Sequence, residues 1–96
     1  MSFNVVVPQN VRARLASLGL SNFALVEVYE RLRELRRFPS SRLERVREPF
    51  DGMVFPFSFV DPENRLCEHI FIFPIVYTTD EERLIAGSPA YFRRVG

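Results

Sequence analysis

Several residue types that would point to a particular class of protein are scarce or missing in this chain of 96 residues. Its single cysteine, Cys67, excludes an internal disulfide framework and a cysteine-rich zinc site. There is no lysine, so the 13 cationic residues are all arginine, and 12 acidic residues leave a formal net charge of +1. A net charge this small does not by itself predict an acidic partner.

Long apolar runs and recognisable chemical motifs are also missing. No segment reaches the roughly 18 consecutive apolar residues that a membrane-spanning helix needs. The opening MSFNVVVP has neither the basic start nor the apolar core of a signal peptide. We therefore expect a cytoplasmic protein that makes no membrane contact. Because the sequence contains no cluster of metal ligands, no nucleophile motif and no glycine-rich phosphate loop, we expect no cofactor and no metal site.

What the chain does contain is typical of a globular protein, with 47% hydrophobic and 26% charged residues. Its length predicts one domain over residues 1–96. The most informative stretch is Met53 to Tyr77, in which two apolar runs flank the turn-forming sequence Asp-Pro-Glu-Asn at residues 61–64. This pattern predicts a β-hairpin with arms over residues 53–60 and 65–77.

The rest of the chain supplies two helices and two outer strands. Helical spacing of apolar residues predicts helices over residues 8–18 and 22–37. A strand is expected before them, at residues 3–7, and another after the hairpin, at residues 82–86. A tail follows at residues 90–96. The predicted order is therefore β-α-α-β-β-β, an α+β fold with the helical hairpin on one face of an antiparallel sheet. The residues predicted to be buried are Leu25, Val28, Leu32, Leu35, Phe57, Ile75 and either Ile70 or Phe71.

This order of elements resembles the RelE/ParE superfamily of bacterial toxins from toxin–antitoxin pairs. The residues that carry the resemblance are the stripe of Leu32 and Leu35 before Pro39, the hairpin that ends at Val76-Tyr77, and the arginine- and tyrosine-containing tail. The resemblance covers nearly the whole chain. It implies a toxin that acts on messenger RNA at the ribosome or on a topoisomerase, and that an antitoxin protein neutralises.

The site residues that the resemblance implies are basic and lie at both ends of the hairpin. The central-strand arginine of the ribonuclease branch is absent, because His69-Ile70 stands at that position. Whether the chain is an enzyme is therefore left open. The nucleic-acid-binding candidates that carry over are Arg45, Arg47, Tyr91, Arg93 and Arg94. We expect Arg45, Arg47, Arg93 and Arg94 to converge on one side of the sheet, where they could neutralise several phosphates.

The second arm of the hairpin is apolar on both faces, and the helices can cover only one of them. An antitoxin, a second copy of the chain, or the tail at residues 90–95 could cover the other face. A non-catalytic interaction module of the same shape therefore stands as the alternative to a toxin. Cys67 and His69 are interpreted as structural residues that neither catalyse nor bind metal. The partner-binding candidates are Phe55, Phe57, Phe59, Phe71 and Phe73.

Overall fold

The fold is that of a computed structural model, which describes residues 3–37, 42–46, 52–61, 63, 67–78 and 82–95. The described residues form two helices and a sheet of six strands, which confirms the predicted α+β class. In chain order the elements are β1 (Asn4–Val6), α1 (Gln9–Ala16), α2 (Asn22–Glu34), β2 (Glu44–Val46), β3 (Gly52–Val60), β4 (Cys67–Thr78), β5 (Arg83–Ala86) and β6 (Ala90–Val95).

The two helices form where the apolar spacing predicts them, but both end a few residues early. Helix α1 stops before Gly19, whose φ of 71° takes the chain out of the helical conformation without the steric cost that a Cβ would impose. Helix α2 begins at a Ser21 cap, whose hydroxyl accepts a hydrogen bond from the Ala24 amide at 3.1 Å. Its predicted apolar stripe is confirmed at Val28, Leu32 and Leu35, all at most 1% exposed.

The sheet has the strand order β1-β5-β4-β3-β2, and β6 also pairs with β4. All pairs are antiparallel except β1 with β5, which run parallel. The sheet is therefore mixed rather than wholly antiparallel as predicted. No tight turn sets the direction of β1, because the helical hairpin and three strands separate it from β5 in the chain.

Strand β4 is long enough to take two neighbours along one edge. Strand β5 pairs with residues 75–78 of β4, and β6 pairs with residues 67–72. Between them residues 87–89 oppose only residues 73–74, so the edge contains one extra residue, as in a β-bulge. At this bulge the Gly87 amide donates to the Pro74 carbonyl at 2.8 Å. The prediction of a tail at residues 90–96 is thus wrong for Ala90–Val95, which continue the sheet.

The helices cover one face of the sheet and leave the other uncovered by any helix among the described residues. The core between helices and sheet includes Val11, Leu15, Phe55, Phe71, Phe73, Ile75 and Leu84, each at most 5% exposed. Leu25 and Phe57 are half-buried at its margin, and Phe71 rather than Ile70 points inward. The strand registers place on the opposite face, which we call the back face, the polar residues Ser58, Glu68 and Arg94 and the following apolar ones: Val54, Pro56, Val60, Ile70, Ile72, Pro74, Val76, Ile85 and Phe92.

The back face is mainly apolar and partly open to solvent. Val60, Val76 and Phe92 are 54%, 58% and 55% exposed. Strand β6 runs beside β4 rather than over it, so the expected alternative in which residues 90–95 fold across this face is not what the structure shows. Neither helix in the described part of the chain has the length and apolar character to cross a membrane.

Candidate functional site

Strand register brings four polar side chains together on the helix-covered face, at the end of the sheet where β3, β4 and β6 meet. On β6, Arg93 lies opposite His69 and Tyr91 lies opposite Phe71. Asp61 directly follows β3, and its amide donates to the Cys67 carbonyl at 2.8 Å, so it extends the β3–β4 pairing toward His69. We call Asp61, His69, Tyr91 and Arg93 the His69 cluster.

Hydrogen bonds join the His69 cluster into one chain that runs from the interior to the surface. The imidazole lies between two partners, with Nε2 at 3.1 Å from Asp61 Oδ2 and Nδ1 at 2.7 Å from Tyr91 Oη. Arg93 Nε donates to the same Tyr91 oxygen at 3.1 Å. The other Asp61 oxygen, Oδ1, accepts from the Glu63 amide at 2.9 Å, which fixes the carboxylate in an Asx turn.

Burial and charge differ sharply along this chain of hydrogen bonds. His69 is only 1% exposed and Asp61 7%, whereas Arg93 is exposed. The hydrogen bond to Tyr91, followed by attraction to that oxygen, raises the pKa of Arg93 above its usual value. Cys67 Sγ lies 3.8 Å from His69 Nε2, a weak contact beside the Asp61 bond. The described residues contain no group of three or more His, Cys, Asp or Glu side chains suited to hold a metal ion.

Aromatic rings continue the site across the sheet from the His69 cluster. Phe57 and Phe59 are stacked with centroids 6.3 Å apart, and Phe59 lies 5.3 Å from the His69 ring. His69 in turn is stacked on Tyr91 at 5.9 Å. Phe57, Phe59 and Tyr91 are half-buried, so each has part of its surface in contact with solvent. We call these three rings the aromatic platform, and such a surface can stack unpaired nucleic-acid bases.

The structure brings together only some of the predicted nucleic-acid-binding residues. Tyr91 and Arg93 are hydrogen-bonded in the His69 cluster. Arg94 lies on the back face instead, where it donates to Glu68 Oε2 at 2.5 Å and lowers the pKa of that carboxyl. Arg45 lies on β2 opposite Met53, at the other end of the hairpin and roughly 20 Å from His69 along the strand direction.

The predicted convergence of four arginines is therefore wrong for Arg45 and Arg94. Neighbouring residues of a strand point to opposite faces, which separates Arg93 from Arg94. Arg47 lies outside the described residues.

The predicted partner-binding phenylalanines are on the helix-covered face rather than the back face. Phe55, Phe71 and Phe73 are 4%, 0% and 0% exposed, because the helices pack against them. Side chains buried in the core cannot also contact a partner, so the structure corrects this assignment. Phe57 and Phe59 keep some exposure, but in the aromatic platform.

Sequence reasoning missed the part that Asp61 plays in this site. The Asp-Pro-Glu-Asn sequence indicates a turn, and the structure shows Asp61 accepting from the Glu63 amide and also bonding to His69. The register of the hairpin could have indicated this position of Asp61. Val60 pairs with Glu68, so extending the register by one residue puts Asp61 on the same face as His69. The turn pattern alone does not show that Asp61 lies beside His69, because this depends on the register of β3 on β4.

Comparisons with known proteins give a match to the fold but none to the sequence. No family model and no curated protein sequence matches the chain. A chain in the crystal structure of the toxin–antitoxin complex RelBE2 from Mycobacterium tuberculosis is similar, with a TM-score of 0.62 and 15% identity. The match covers 96% of this chain and 100% of that one. The chain thus has a RelE-like fold, which confirms the resemblance inferred from the order of its elements.

Proposed function

We propose that this protein is the toxin of a bacterial toxin–antitoxin pair, that it cleaves RNA in the cytoplasm, and that an antitoxin protein neutralises it. The RelE-like fold and the toxin–antitoxin complex among similar structures support the class. The observation that carries the choice of RNA is the His69 cluster beside the aromatic platform. A topoisomerase inhibitor has no need of this combination of stacking rings, a cation and a proton-transfer group.

Each part of the site suits single-stranded RNA. The platform offers ring faces on which bases stack, a contact worth about 1–3 kcal/mol per base. Arg93 uses Nε to hold Tyr91, and its remaining N–H groups can bind a phosphate from the exposed side. The hydroxyl next to each phosphate in RNA is the 2′-OH, and in this proposal the Tyr91 oxygen accepts its proton.

The reaction that fits these groups is an internal phosphoryl transfer. The 2′ oxygen forms a bond to phosphorus as the bond to the 5′ oxygen breaks. The products are a 2′,3′-cyclic phosphate and a 5′-hydroxyl end, and the leaving oxygen takes a proton from water. Tyr91 is the catalytic residue in this proposal, and Arg93 stabilises the negative charge that develops on the phosphate.

The antitoxin is the partner that we propose for the back face. This surface is apolar, is covered by no described element and presents Phe92, Val60 and Val76 to solvent. Monomeric proteins seldom leave a contiguous apolar patch of this kind uncovered. In the alternative reading, a non-catalytic module, the same face would hold a second copy of the chain and the His69 cluster would have no substrate.

Two measurements test the function. Expression of the chain without an antitoxin should arrest bacterial growth, and the purified chain should cut a defined mRNA, either alone or on ribosomes, to leave cyclic-phosphate ends. Tyr91→Phe removes the hydroxyl but keeps the ring, and should lower cleavage by about 10²–10⁴-fold. Tyr77→Phe is the matched control, because Tyr77 packs on Phe3 away from the His69 cluster. A chain that neither arrests growth nor cuts RNA, or a Tyr91→Phe variant with full activity, would refute the proposal.

A further inference from the structure

We infer that Asp61 and His69 are positioning residues that allow the Tyr91 hydroxyl to accept a proton, because His69 takes up the proton that the hydroxyl itself releases. The inference rests on the proposed function and adds to it the means by which the site is activated. A neutral phenol is a poor base by itself. In the His69 cluster the acceptor for the phenol proton is His69 Nδ1. The hydrogen bonds from Tyr91 through His69 to Asp61 join residues that are buried or half-buried.

The position of each proton follows from what each group can donate or accept. An ionised Asp61 carboxylate only accepts, so the hydrogen bond of 3.1 Å places a proton on His69 Nε2. The neutral ring then has its lone pair on Nδ1, which accepts from the Tyr91 hydroxyl at 2.7 Å. Among the described residues no buried side-chain nitrogen or oxygen lacks a hydrogen-bond partner, and the other contact of Nε2, with Cys67 Sγ at 3.8 Å, is longer than the one with Asp61.

Arg93 completes the arrangement on the outer side. Its Nε can only donate, so it occupies one of the two lone pairs of Tyr91 Oη. The second lone pair is left to receive a proton from a substrate hydroxyl. The Tyr91 hydroxyl therefore donates its proton to His69 and accepts a hydrogen bond from Arg93. One lone pair on its oxygen remains to accept from the substrate hydroxyl.

The proton transfers balance through one turnover. When the substrate 2′-OH gives its proton to Tyr91 Oη, the original phenol proton moves to His69 Nδ1, and the imidazolium that results lies beside the Asp61 carboxylate. The bond from the 2′ oxygen to phosphorus forms and the bond to the 5′ oxygen breaks. Water protonates the 5′ oxygen, and the hydroxide that remains takes one proton back from the imidazolium by way of Tyr91. His69 never touches the substrate, which agrees with its exposure of 1%. It does take up a proton, so in this inference His69 no longer has the purely structural role expected from the sequence.

The test uses the fact that His69 is the only histidine in the chain. Nitrogen-15 NMR of the intact protein with labelled imidazole therefore reports one ring, and it should show the tautomer with the proton on Nε2. In Asp61→Asn the amide oxygen can still accept from the Glu63 amide, while the NH2 group faces Nε2. Because the NH2 group donates to Nε2, the ring proton should move to Nδ1. Nδ1 can then no longer accept the proton of Tyr91.

The expected result is this change of tautomer together with a loss of RNA cleavage of about 10²–10⁴-fold. His69→Gln should lose a similar factor, because an amide can hydrogen-bond to its neighbours but cannot take up a proton. Glu68→Gln is the matched control, since it removes one negative charge from the adjacent residue, which pairs with Arg94 instead. This variant should keep the wild-type rate.

The outcomes separate this inference from the function on which it rests. A wild-type ring protonated on Nδ1 would overturn the inference, and this measurement needs no variant to fold. An Asp61→Asn protein that changes tautomer but cleaves RNA at the wild-type rate would also overturn it and leave the proposed function standing. A wild-type protein that cuts no RNA would refute the proposed reaction, and with it the catalytic meaning of the His69 cluster.

Discussion

At the scale of single residues, the alternation of side chains along a strand decides which candidates can act together. Arg93 and Arg94 are neighbours in sequence, yet one bonds to Tyr91 beside the imidazole and the other to Glu68 on the back face. The sequence identifies both as cations near an aromatic residue. It could not separate them, because residues 90–95 show no clean period of two and were predicted to form a tail.

This separation makes a prediction about nucleic-acid binding. Arg93→Gln should weaken the binding of single-stranded RNA and reduce the salt dependence of log K by about one unit of slope, because one phosphate contact is lost. Arg94→Gln should change neither quantity, because its guanidinium lies on the opposite face of the sheet. Fluorescence titrations of a short oligoribonucleotide at several salt concentrations would measure both. Equal losses in the two variants would show that RNA does not bind where we place it.

At the scale of elements, the long strand β4 organises the sheet, and its length explains the strand that sequence reasoning did not predict. Both the helices and the hairpin follow from periodicity, since their apolar residues recur with the helical or strand repeat over enough residues to be read. Strand β6, the second strand that pairs with this edge of β4, has no such periodicity in its sequence. Strand β5 covers four residues of an edge that is twelve residues long, so a second strand is needed to pair the remaining backbone groups.

The bulge between β5 and β6 gives a stability prediction with an internal control. A Cβ at position 87 would lie 2.9 Å from Pro74 Cγ, a contact that the proline ring can relieve only by moving. Gly87→Ala should therefore lower the free energy of unfolding by about 1–3 kcal/mol. Gly52→Ala should be neutral or raise stability by up to about 1 kcal/mol, because a Cβ there meets nothing within 4 Å. Urea denaturation would compare the variants, and equal stabilities would show that the bulge is not tightly packed.

At the scale of the whole molecule, the two faces of the sheet differ in what covers them. One face holds the core and, beyond the helices, the His69 cluster. The other is the apolar back face. The sequence predicted correctly that β4 is apolar on both sides, but it assigned the partner contact to phenylalanines on the helix-covered face, three of which are buried. The choice between faces depends on which side the helices pack, and the period of two within a strand is the same in either case.

The assignment of the back face to an antitoxin can be tested with a pair of exposed phenylalanines. Phe92→Ser should weaken the complex with the proposed antitoxin by about tenfold or more, since burying a phenylalanine contributes about 1.5–3 kcal/mol. Phe23→Ser should have no effect, because Phe23 lies on α2 and is 62% exposed, like Phe92 at 55%. Isothermal titration would measure the affinities. If both variants bind as tightly as the parent, the back face is not the docking surface.

The position of β6 has a consequence for how the proposed activity would be lost. This strand holds Tyr91 and Arg93, yet five of its six residues are exposed, and β4 is its only partner strand in the described sheet. Exposed edge strands open at a lower free energy than the core to which they are attached. Fraying of Ala90–Val95 would disconnect the tyrosine from its histidine while the helices and the central hairpin stay folded. Inactivation on warming should therefore precede global unfolding, so the proposed toxin can lose its activity while most of the chain stays folded.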